Sequence, residues 1–99
     1  MHSKFALQEN RLRLLRQLKK HGYFVRMHAY EYIVGDGEKF IAIILLEPYF
    51  NRAAILWLSR QNTRDKNKVL EIRRKIDENI KIETRQVPGV GFEPTPSGL

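Results

Sequence analysis

The sequence predicts a small α/β (α+β) domain of order α-β-β-(β)-α followed by an irregular C-terminal tail. Three observations carry this reading. Leucines recur at helical spacing over the first twenty residues, runs of β-branched and aromatic residues flank Gly35-Asp36-Gly37, and a second apolar stripe of helical period begins after Thr63.

Ser3 stands where a helix N-cap would, and Phe5, Leu7, Leu12, Leu14, Leu15 and Leu18 repeat at helical spacing up to Lys20, where His21-Gly22 supplies a stop. Leu7, Leu14 and Leu18 centre the apolar face. Arg13, Arg16 and Lys20, at i, i+3 and i+7, fall opposite it as a basic stripe, either a solvated helix back or a phosphate-binding surface.

From Tyr23 to Val34 the residues are β-type and end at Gly35-Asp36-Gly37, which reads as one strand entering a hairpin. Phe40–Leu46 is apolar at every position, the pattern of a central strand covered on both faces, and Pro48 ends it. Ala53–Leu58 reads as a third strand, with a buried helical turn as the alternative.

A second helix is expected over about Arg64–Asn79, with Thr63 as a possible cap and Val69, Leu70, Ile72, Ile76 and Ile80 as its apolar stripe. Glu71–Lys75 and Arg74–Glu78 are i,i+4 pairs that would neutralise its outer face. Arg60, Arg64, Lys66 and Lys68 instead collect near Gln61, Asn62 and Asn67, either a polar loop or side chains for phosphate and base edges. Residues 1–87 therefore form the expected domain, and 88–99, PGVGFEPTPSGL, a Pro/Gly-rich tail expected to be flexible.

Composition narrows the function classes. A formal charge of +7 creates a field that draws polyanions, so nucleic acid, DNA before RNA, is the expected partner. The chain has no cysteine, which excludes disulfides, thiolate metal sites and thiol nucleophiles. His2, His21 and His28 are scattered, no phosphate-loop motif is present, and neither metal nor cofactor is expected. No apolar run reaches the ~20 residues of a membrane span, and a cytoplasmic location is expected.

The stretch Ala6–Leu46, with its LLRQLKKHGYFVR and YEYIVGDGEKFIAIILL runs, resembles the start of archaeal Holliday-junction resolvases and the wider PD-(D/E)xK nuclease fold. In such enzymes a strand-borne acid and a later Glu-x-Lys hold Mg²⁺ and activate water. The resemblance puts Glu31 at the acid position but Ile44 and Leu46 where Glu and Lys should stand. A shifted register offers Asp36 and Glu47, with Tyr49 in place of the lysine. The resemblance thus implies a nuclease-like fold stripped of catalysis.

The tail motif GVGFEPTPSGL resembles a translated tRNA T arm, whose TTC-GAA core reads as Phe92-Glu93, as found in archaeal spindle-virus-type integrases. It implies a gene on, or cut by, an integrated mobile element. The expected function is a non-catalytic nucleic-acid-binding protein of such an element. The alternatives are an N-terminal integrase fragment, a small interaction module, or a junction nuclease if its carboxylates converge.

Overall fold

The computed structural model describes residues 2–58 and 63–87. A 3-10 turn, Lys4–Ala6, leads into α1 (Gln8–Lys20), followed by β1 (Phe24–His28), β2 (Glu31–Gly35) and β3 (Phe40–Glu47). A second 3-10 turn, Pro48–Phe50, precedes β4 (Arg52–Trp57), α2 (Thr63–Ile76) and β5 (Lys81–Gln86). The five strands form one sheet in sequence order, antiparallel from β1 to β4, while β5 runs parallel to β4 because α2 carries the chain back between them.

The α+β class stands, with two more strands than the sequence pattern suggested. Tyr23–Val34 is not one strand. Ala29 takes φ 56° and turns the chain, so His28 pairs with Glu31 in a two-residue hairpin. Strand β5 carries charged or polar groups at all but one position, and such an edge strand lacks the apolar alternation that marks a half-buried one. Residues 53–57 are strand, not a helical turn.

Both helices differ at their ends. Ser3 caps the 3-10 turn, its Oγ accepting from the Phe5 amide, and α1 begins only at Gln8. Leu7 is therefore exposed rather than central, while Leu14 and Leu18 are fully buried. The α1 stop is as expected: Gly22 takes φ 94°, and the amides of Gly22 and Tyr23 return to the carbonyls of Lys19 and Leu18 in a Schellman motif. Thr63 is the first residue of α2, and the helix ends at Ile76 because the Asp77 carboxylate accepts from the Asn79 amide.

The core lies between the helices and one face of the sheet. Tyr32 and Val34 of β2 pair with Ile44 and Ala42 of β3, and these pair in turn with Ile55 and Trp57 of β4. All six are buried, and Phe5, Leu14, Leu18, Val69, Ile72 and Ile76 close over them. The Tyr32 hydroxyl donates to the Arg11 carbonyl, which ties β2 to α1. A bulge opposite Val34 and Gly35 leaves Ile41 as the extra residue of β3, so Ile41 and Ala42 are both buried.

The expectation that β3 is covered on both faces is met on one face only among the described residues. Ile33, Ile43, Leu45 and Leu56 alternate with the core residues, are only half-buried, and lie outside the core cluster. Among the described residues no element covers the second face of the sheet.

Candidate nucleic-acid interface

The helices run antiparallel because α2 returns its end to the start of the chain. Asp77, just past α2, accepts from Ser3 Oγ and the Lys4 amide, while at the opposite end the Tyr23 hydroxyl donates to Asp65 Oδ1 at 2.8 Å. Burial, then this bond to a carboxylate, pushes the Tyr23 phenol well above the ordinary tyrosine range.

A groove of about 500 Å³ runs between the end of α1 and one flank of α2. It is lined by His21, Arg64, Asn67, Lys68, Glu71 and Lys75, with Ile72 as its one apolar residue among those described. Arg64, Lys68, Glu71 and Lys75 fall at i, i+4, i+7 and i+11, which places them along one helix flank. Glu71 is bound by Arg74 at 3.1 Å, not by Lys75 as the i,i+4 pattern suggested. Arg64, Lys68 and Lys75 make no ion pair among the described residues, so the groove keeps three unneutralised cations. Its polar amide Asn67 and imidazole His21 add hydrogen-bonding groups of the kind that contact phosphate and sugar.

The residues singled out in the sequence divide. Arg64 and Lys68 come together in the groove, while Arg13, Arg16 and Lys20 stay exposed on α1, with Lys20 next to the groove residue His21. Lys66 leaves the set: it is half-buried, with its ammonium 5.7 Å from the Trp57 ring centroid. Arg60 and the tail lie outside the described residues. His21 and Lys75 escaped the sequence reading, although counting on from Arg64 by helical steps reaches Lys75.

Two arginines are spent on the fold. Arg11 stacks 4.2 Å over the Tyr30 ring and donates to the carbonyls of Phe5 and Ala6, fixing the turn before α1. Arg73 donates to the Asp77 carbonyl, and burial lowers its pKa. Trp57 and Tyr32 are buried in the core and do not offer faces for base stacking.

Of the carboxylates raised by the nuclease resemblance, Glu31 and Glu47 line one shallow depression, while Asp36 stands apart. Glu31 and Glu47 stand at the same end of the open sheet face, since Glu31 pairs with Leu45, two residues before Glu47. Asp36 lies past the other end of β2 and cannot join Glu47: the eight residues of β3 separate them by roughly 25 Å at strand rise. Asp36 serves its own turn, accepting from the amides of Glu38 and Lys39 and from Lys39 Nζ, which brings its carboxyl down to about 2. Glu47 is held by Arg52 at 2.6 Å. Among the described residues no three His, Asp or Glu side chains gather as a metal site would need. No described helix is long and apolar enough to cross a membrane.

Compared with protein-family models, curated proteins and solved structures, the chain matches none.

Proposed function

We propose that this chain is a non-catalytic nucleic-acid-binding domain that holds a phosphate backbone in the groove between its two helices. The observation that carries the reading is the row Arg64, Lys68 and Lys75, whose one intervening acid, Glu71, is already bound by Arg74. Cations without ion-pair partners among the described residues gain most from phosphate, because each contact releases condensed counterions. The sequence carries no base-reading motif, so binding is proposed to be weakly selective, with DNA the first polymer to test.

Association with an archaeal integrated mobile element, and a cytoplasmic site of action, rest on the T-arm-like tail motif and the composition. The nuclease-like reading keeps the helix-then-hairpin order of Ala6–Leu46, and Glu31 and Glu47 do share one end of the sheet. With Glu47 tied to Arg52 and no lysine at Tyr49, that reading supplies no catalytic step.

The test is the affinity of the purified chain for duplex DNA across a range of salt. Backbone binding gives a log–log slope of about −0.9 for each phosphate neutralised. An undetectable or salt-independent interaction overturns the proposal.

A further inference from the structure

The face of the sheet that no described element covers is a feature the proposed function leaves unused. Strand register aligns it in rows: Arg26, Ile33, Ile43, Leu56 and Arg85 form one, and His28, Glu31, Leu45, Ala54 and Glu83 the next. The centre of both rows is apolar, and Phe24 and Phe40, 68% and 61% exposed, extend that band on either side of Gly35. β3 carries apolar side chains on both faces, and the helices cover one, so Ile43 and Leu45 on the other are only half-buried.

We infer that this face is covered by a second copy of the chain, packed sheet against sheet in a two-fold dimer. Glu31, Glu47 and Glu83 stand among the cations of the face, which suits a polypeptide and not a polyanion. Charges of both signs flank the apolar band, as a surface that must complement itself requires. Area decides whether such a dimer is feasible. Five strands at ~4.8 Å spacing and four rows of ~6.6 Å step give a face of about 24 by 20 Å. Two such faces bury about 1,000 Å², the lower bound for a specific interface, so the dimer is expected to be a weak one. The helices then lie on the two outer sides of the dimer, and both grooves remain open.

The experiment is sedimentation equilibrium of the full chain from low micromolar to several hundred micromolar, without nucleic acid. The wild type should shift from the monomer mass to twice that mass. Ile43→Lys and Leu45→Lys, each checked for folding by circular dichroism, should remain monomeric, and Lys68→Glu on the helix side should dimerise as the wild type does. If Ile43→Lys fails to fold, Phe24→Ser/Phe40→Ser at the exposed margin should weaken dimerisation at least tenfold. A wild type that stays monomeric throughout overturns the inference, as do folded face variants that still dimerise. A monomeric full chain whose truncation after Val87 dimerises also overturns it, and assigns the face to the tail instead. Because no nucleic acid is present, the result is independent of whether the groove binds DNA.

Discussion

Ser3 Oγ donates to Asp77 Oδ2 at 2.5 Å across 74 positions of sequence, and this one bond fastens the start of the chain to the end of α2. The same carboxylate accepts from the amides of Lys4 and Asn79, so it is a buried acid with three donors. Burial alone would raise its pKa; the three hydrogen bonds outweigh that and hold it below the usual carboxylate range.

Asp77→Ala strands those donors and should destabilise the domain by about 2–3 kcal/mol, whereas Ser3→Ala, which keeps the acceptor, should cost about 1 kcal/mol. Urea denaturation at neutral pH measures both. The pH dependence has a definite sign. A carboxyl depressed by folding contributes fully above its unfolded value of ~3.9, and that contribution is lost as pH falls through the folded value. Asp77→Asn should therefore flatten the acid limb of the stability curve, and an unchanged limb would show that Asp77 does not carry it.

How much of this was legible follows from what kind of signal each feature leaves. Leu14, Leu18, Val69 and Ile72 are local, periodic and buried, and the sequence announces them. The Ser3–Asp77 bond is not announced, because a hydroxyl and a carboxylate 74 positions apart carry no period. Arg11 and Arg73 look like surface charge until the structure turns them onto backbone carbonyls. The groove was half legible: Arg64 and Lys68 stood out, while Lys75 was hidden by its spacing from Glu71, which in the fold chooses Arg74 instead.

The β1–β2 hairpin turns on Ala29 at φ 56°, in the left-handed region that costs an L residue about 1–2 kcal/mol. Its side chain is exposed, so little packing is lost by removing the methyl group. Ala29→Gly should stabilise the domain by a few tenths to about 1 kcal/mol, the strain relieved minus the added chain entropy of glycine. A melting temperature below that of the wild type would show that the turn is not strained there.

Tyr23 and Tyr32 set the alkaline limit. Burial raises both phenols, reinforced at Tyr23 by the Asp65 carboxylate and opposed at Tyr32 by the nearby Arg11 cation. A group raised by folding contributes stability below its unfolded value, ~10 for tyrosine, and loses it as pH climbs toward the folded value. Ultraviolet titration should therefore show these two phenolates appearing only with unfolding. Tyr23→Phe removes the Asp65 bond and should shift the alkaline midpoint upward relative to its own neutral stability. Phenolate signal lost with Tyr23→Phe yet present at pH 10 in the folded wild type would contradict this.

The groove itself makes the sharpest distinction between working cations and ordinary surface charge. Arg64 and Lys68 share a flank of α2 and lack ion-pair partners among the described residues, whereas Arg26 and Arg85 stand on the opposite side of the molecule, on the open sheet face. All four carry the same formal charge, so a merely diffuse attraction would weaken equally on losing either pair. Removing Arg64 and Lys68 together should instead reduce the magnitude of the salt slope by about 2 and lower duplex affinity roughly tenfold to a hundredfold at physiological salt. Arg26→Ala/Arg85→Ala should change affinity by less than about threefold, the residue of long-range charge after screening over a Debye length of about 8 Å. Fluorescence anisotropy with a labelled duplex at several salt concentrations measures both pairs side by side. Equal losses from the two would mean that the chain attracts DNA through net charge alone and that the groove is not where it binds.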